Sequence, residues 1–163
     1  KGDLKATIGV AAFTYSDDED VATDEATDNA KDVLDGCTGY EVSAALRVAG
    51  LSVDAEYNVF DADLAVDGIT SGIYEDSETT LKSYAVEGGY MVWPKTLEIV
   101  AGFQSQDADN YEKAWERVSV GANFFAVKKH DIKYQVTYEM GSNKDGKDGK
   151  DVNEVYVQAQ YVF

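Results

Sequence analysis

Nine charged residues stand out because of their spacing: Glu41, Arg47, Asp54, Glu56, Glu87, Glu98, Arg117, Lys133 and Glu139. Each sits an even number of positions from small or polar neighbours, among them Ser43, Ser52, Asn58, Ser83, Gln104, Ser119, Asn123, Gln135 and Thr137. On extended backbone, even spacing puts side chains on one face. Charges of both signs on an enclosed wall are costly unless they are paired or hydrated. Two chemistries follow. Arg47, Arg117 and Lys133 can pair with Asp54, Glu56 and Glu139 as a polar plug, or the charges can stand in water and act on passing solutes. Six of the nine are carboxylates and three are bases, which predicts a weak preference for cations.

Other chemistry has thinner support. A hydrolase needs a base beside a nucleophile, usually His with Ser. The only histidine, His130, lies in a short predicted link beside Lys128 and Lys129. One His and one Cys cannot make a zinc site, so no enzyme and no resident cofactor are expected. The segment after the first strand is strongly acidic, with Asp17, Asp18, Glu19, Asp20, Asp24, Glu25, Asp28, Asp32 and Asp35 opposed by Lys31. Hard cations such as Ca²⁺ or Mg²⁺ take oxygen ligands. The spacing is not that of an EF-hand, and a solvated charge run accounts for it. Asn143–Asp151 (NKDGKDGKD) repeats every three residues but lacks the nine-residue period of calcium β-rolls, and is read as a flexible loop. Cys37 lies in the predicted first loop. As a lone cysteine it forms no intrachain disulfide.

The elements that must carry this wall are strands. The 163 residues suit one domain. The formal charge of −17 excludes nucleic acid as a partner, because phosphate binding needs a basic surface. Disordered acidic chains are poor in aromatics, whereas this one is 12% aromatic with eleven Tyr. No run approaches the roughly 18 apolar residues of a membrane helix. No signal peptide is visible, so an exported chain with this sequence is a mature or trimmed form.

Alternating apolar residues mark eight predicted strands. They begin with Leu4–Ala12, Tyr40–Val48, Leu51–Val59 and Tyr84–Tyr90, and continue with Leu97–Phe103, Val118–Phe124, Ile132–Tyr138 and Val155–Phe163. The links alternate between long (Ser16–Gly39, Asp61–Thr79) or medium (Ser105–Ala114, Gly141–Asn153) and short ones such as Ala49–Gly50, Trp93–Lys95 and Ala126–Lys129. Long loops on one side and tight turns on the other is the layout of a transmembrane barrel. Strands near ten residues long cross a bilayer when tilted. The apolar faces then meet lipid and the charged faces line the interior. Trp93 and Trp115 near strand ends, with Tyr90, Tyr138, Tyr161 and Phe163, are expected interface anchors. Small residues on the other face (Gly9, Ala11, Ala45, Ala85, Gly89, Gly102, Gly121) are expected to leave room along the wall.

The final segment VYVQAQYVF (Val155–Phe163) resembles the terminal strand of bacterial outer-membrane barrels, which end on Phe with apolar residues at alternate positions before it. LKATIGVAAFTY (Leu4–Tyr15) is similar to an internal strand of large Gram-negative porins. VSVGANFFAVKKHDIKYQVTYEM (Val118–Met140) is similar to the penultimate hairpin of porins in the phosphate-selective and general anaerobe groups. The resemblance implies an all-β, up-and-down antiparallel barrel over residues 1–163, either complete or the C-terminal half of a larger one. It implies the Gram-negative outer membrane, with lipid and lipopolysaccharide as surroundings, the barrel-insertion machinery reading the last strand, and homo-oligomers as common. It also implies passive diffusion of small hydrophilic solutes or ions. Phosphate selectivity is not carried over, because that needs rows of Lys and Arg. The competing expectation is a sealed eight-stranded barrel working through its acidic loops in adhesion, binding or structure.

Overall fold

The computed structural model describes residues 3–16, 34–126 and 132–161. It contains β1 (Lys5–Ser16), β2 (Leu34–Val48), β3 (Leu51–Leu64), β4 (Glu78–Trp93), β5 (Leu97–Asp107), β6 (Trp115–Phe125), β7 (Ile132–Ser142) and β8 (Val152–Tyr161). Each strand pairs antiparallel with the next, in one sheet ordered β1 to β8. The fold is all-β, eight strands running up and down, as the alternation predicts. No ladder joins β8 to β1 among the described residues. Among the described residues the strands form one sheet and not the two packed sheets of a sandwich.

Tight links occupy one end. Ala49 and Gly50 both have positive φ (50° and 87°), the geometry of a two-residue hairpin turn whose twist suits the flanking strands. At the next such link Thr96 N–H donates to the Trp93 carbonyl at 2.9 Å, with Lys95 at φ 63°. The link Ala126–Lys129, His130 and the terminal Phe163 fall largely or wholly outside the described residues, as does the acidic run from Asp17 to Asp32.

At the other end the strands run further than the apolar alternation indicates. β2, β3 and β4 are 15, 14 and 16 residues long. Residues 34–39, 60–64 and 78–83, which the sequence assigns mostly to loops, are laddered. Cys37 therefore lies in β2, opposite Tyr15 and Ala62, rather than in a loop. These extensions hold Asp35, Gly36, Asp61, Asp63 and Glu78, and the alternating apolar set Phe60, Ala62 and Leu64 falls on the opposite face from the Leu51–Val59 stripe. Gly39 shows why this stretch is glycine-rich: an added Cβ would sit 2.4 Å from the Phe13 ring that lies across it.

Burial is inverted relative to a soluble protein. In β6 and β7 the apolar residues Val118, Val120, Phe124, Tyr134, Val136 and Tyr138 are exposed. Their polar neighbours Arg117, Ser119, Gln135, Thr137 and Glu139 are half-buried, and Asn123 is buried. With no layer on either side, the less accessible face is the concave one. The sheet therefore curls around its polar side. Only Val59, Ala62, Leu64, Ala108 and Phe125 are buried apolar residues among those described. Both end strands are exposed on both faces, since each lacks a second neighbouring strand among the described residues; Ile8 is 79% and Val157 78% accessible.

The convex face is zoned. Tyr40, Tyr57, Tyr84, Phe103 and Tyr138 form one aromatic tier by register, with Tyr40 beside Tyr57 and Tyr84 beside Phe103. Tyr90, Trp93, Phe124, Tyr134 and Tyr161 form a second near the short turns. Between them lie Val, Ala, Ile and Leu. An apolar band between aromatic girdles is the outer surface of a membrane barrel.

Candidate functional site: the concave polar wall

All nine charged residues singled out by spacing lie on the concave face. The ladders carry this through directly opposed partners: Glu41 to Asn58 to Ser83, Asp54 to Glu87 to Gly102, and Glu98 to Asn123 to Gln135. Opposed residues share a face, and each remaining member is an even step away along its strand.

Their pairing is partial. Arg47 grips Asp54 with both carboxylate oxygens 2.8 Å from Nη2, and Nη1 donates to the carbonyls of Leu46 and Val53. The two are diagonal neighbours across the β2–β3 hairpin, close enough for a bidentate contact. Arg117 approaches Glu139 more loosely, Nη1 to Oε1 at 4.0 Å. Glu56 is not paired with a base as the plug expects; its carboxylate accepts from Asn58 Nδ2. Glu98 accepts from Asn123 Nδ2 at 2.9 Å. Lys133 lies six positions from Glu139 along β7, opposite Phe125 and Gln160. Among the described residues, Glu41, Glu56, Glu87 and Glu98 form no ion pair.

The expected room is present beside Gly9, Ala45 and Ala85, which line a cleft of about 320 Å³, and polar side chains reach into part of it. A Cβ on Gly9 would meet Ser43 Oγ at 2.6 Å, and one on Gly102 would meet Ser119 Oγ at 2.8 Å. At Gly89 both Ser52 Oγ (2.6 Å) and Glu98 Oε1 (2.7 Å) lie where a side chain would start. Glycine here admits neighbouring polar side chains onto the wall.

Trp115 is a correction. It pairs with Gln106 and shares the face of Arg117, so it belongs to the concave wall and not to a lipid-interface girdle. The Arg117 guanidinium carbon lies 4.8 Å from the indole centroid, within reach of a cation–π contact. Trp115 lies two positions before Arg117, so parity alone places it. Its nearness to a strand end obscured this. Trp93, 65% exposed, does stand where an interface anchor belongs. Parity also brings Phe13 and Phe60 onto the concave side, rings 6.1 Å apart, making its long-loop end apolar.

That end is roofed. Ala62, Leu64 and Thr79 share the concave face and are buried, and the Thr79 hydroxyl donates to the Ile73 carbonyl. The link 65–77 therefore folds over this face. Ser77 Oγ ties it further, donating to Val66 O while accepting from Ile69 N–H at 2.8 Å. Tyr74 in this link has its phenol pKa raised by burial and then by the Cys37 thiol. The neighbouring links join on: Thr80 N–H donates to Asp109 Oδ2 and Asn110 Nδ2 to the Gly72 carbonyl. Glu112 N–H then donates to the Gly146 carbonyl. The tract Asn143–Asp151 is thus hydrogen-bonded into a shared rim, not a free loop. Lys113 Nζ pairs with Asp148 at 2.7 Å and Lys150 with Asp145 at 2.6 Å. These contacts hold the Lys113 ammonium above and the Asp145 carboxyl below their ordinary pKa values.

No family model and no curated protein matches the chain. Among solved structures it is similar to OmpT, an outer membrane protein of Vibrio cholerae folded in vitro and seen in a trimer form. The TM-score is 0.55 at 16% identity, over 77% of this chain and 41% of that one. The chain spans less than half the length of that structure. The likeness is one of fold, and it agrees with the zoned convex face: this sheet has the architecture of an outer-membrane β-barrel wall.

Proposed function

We propose that the chain forms a porin-like channel wall in a bacterial outer membrane, through which small hydrophilic solutes and ions pass by diffusion. The observation that carries this is the inversion of the sheet: a bare apolar convex face and a concave face bearing charges that are only partly paired. A sealed plug would pair its charges, because unpaired buried carboxylates cost several kcal/mol each, on the order of the penalties for isolated buried ions. Here Glu41, Glu56 and Glu87 form no ion pair among the described residues, and a wetted wall accommodates them. The excess of carboxylates favours cations. The role is transport without covalent chemistry, in one barrel domain whose wall is completed by further strands or further copies. Outer-membrane lipid, lipopolysaccharide and the barrel-insertion machinery are its proposed partners.

Single-channel recording in a planar bilayer under a KCl gradient tests this. Stable conductance steps with a cation-favouring reversal potential are expected. Replacing Glu41, Glu56 and Glu87 with Gln should move the reversal potential toward zero. Inserted, folded protein that gives no steps would overturn the channel and favour a sealed barrel acting through its rim.

A further inference from the structure

Below the roofed end of the concave face, a cleft of about 340 Å³ crosses the sheet from β3 to β6. That volume falls in the range of small-ligand sites, roughly 300–1,000 Å³. Two transverse rows build it. Glu56, Ala85, Gln104 and Arg117 are opposed in turn across the ladders, and so are Asn58, Ser83, Gln106 and Trp115. The floor is β4, where Ala85 and Ser83 are short, and the strands on either side carry longer polar side chains. One row thus runs from a carboxylate past an amide to a guanidinium. The other sets neutral hydrogen-bonding groups alongside it.

The guanidinium at the far end is only partly used. The Arg117 side chain is 33% accessible, and its Nη1 comes no closer to Glu139 Oε1 than 4.0 Å. A guanidinium carries five N–H donors, yet this one forms no hydrogen bond among the described residues. Its stacking on the Trp115 ring, 4.8 Å to the centroid, fixes its position without consuming a donor. At the opposite end Glu56 is exposed, and Asn58 donates to its Oε1, which leaves Oε2 open. A solute with a cationic end and an anionic end completes both groups at once.

We infer that this cleft binds short peptides, with the terminal ammonium on Glu56, the terminal carboxylate on Arg117 and the backbone amides between them on Gln104 and Gln106. Gln106 Nε2 already donates to the Tyr111 hydroxyl, so its Oε1 is left to accept a peptide N–H. Length follows from the sheet. Three strand spacings separate the Glu56 and Arg117 backbones, roughly 14 Å. A charge-assisted hydrogen bond at each end takes about 2.8 Å, and curling of the sheet draws the two heads closer. Two or three extended residues, at about 3.3–3.6 Å each, span what remains. The inference rests on the reading of this face as the wetted wall of a channel. Water reaches both charges, so each contact contributes little and release is fast.

Isothermal titration of the detergent-folded full chain with trialanine tests it, with heat-modifiable electrophoretic mobility confirming that each variant is folded. Trialanine is expected to bind. An N-acetyl cap or a C-terminal amide should each weaken it by about five- to tenfold, the scale of one partly exposed charge-assisted contact. Glu56→Gln should erase the penalty of the acetyl cap alone, and Arg117→Gln that of the amide cap alone. A merely structural role for either residue would leave both penalties in place. If Arg117→Gln does not fold, the capped peptides on wild type and on Glu56→Gln decide. No binding of trialanine, binding indifferent to the caps, or binding of maltose in its place would overturn the site. The titration needs no conduction. Peptide binding by a non-conducting protein would sink only the channel, and conductance without peptide binding only this site.

Discussion

At the residue scale, the rim and the wall differ in how their charges are used. On the rim, Lys113 with Asp148 and Asp145 with Lys150 are exposed pairs that fasten one link to another and close the turn beside it. Lys113 is raised, so its contribution is whole below the ordinary lysine pKa and is lost as pH rises through the higher folded value. Asp145 is lowered, so its contribution is whole above the ordinary carboxylate pKa and is lost as pH falls through the lower folded value. Resistance of the 143–151 link to limited proteolysis should therefore be flat between those ranges and fall at both extremes. Asp148→Asn should remove the alkaline fall and leave the acid one. Gly146 is the rim's least replaceable residue: its φ is +73° and an added Cβ would fall 2.1 Å from Tyr111 Cγ. Gly146→Ala should cost on the order of 1–3 kcal/mol, the scale of backbone strain, and appear as faster cleavage of this link.

At the element scale, alternation makes adjacent residues of one strand answer to opposite environments. Val120 faces outward, exposed, opposite Ala101 and Tyr138, whereas Ser119 faces the concave wall opposite Gly102 and Glu139. Val120→Arg should destabilise folding into bilayers by about 1–2 kcal/mol, below the range for a cation facing lipid at the midplane. Ser119→Arg, one residue away, should cost far less and instead shift ion preference toward anions. Equal penalties in urea titrations of vesicle-folded protein would contradict this assignment of faces. Strand existence and facing were legible in the sequence wherever apolar residues alternate. The extensions of β2, β3 and β4 were not, because the outward apolar stripe stops at Val59 and the alternation resumes on the other face with Phe60, Ala62 and Leu64, among charged residues such as Asp61 and Asp63.

At the scale of the whole molecule, no ladder among the described residues joins β1 to β8, so each of these strands has one side without a neighbouring strand. Each unpaired backbone group facing hydrocarbon costs several kcal/mol, so membrane-spanning sheets close. In the vesicle-embedded protein the amides of β1 and β8 should therefore exchange with deuterium as slowly as those of β4. Fast exchange at both edges would mean that this sheet does not span a membrane as a closed wall. By itself the sequence determined the strand count, the alternation of long and short links, and the face on which each of the nine charged residues lies, because a period of two ties side-chain direction to position. Only the tertiary structure decided which charges meet. Arg47 holds Asp54, Glu98 reaches across Gly89, and three links knit into one rim. Those outcomes depend on register and curvature between strands far apart in the chain, and no local pattern of residues encodes them.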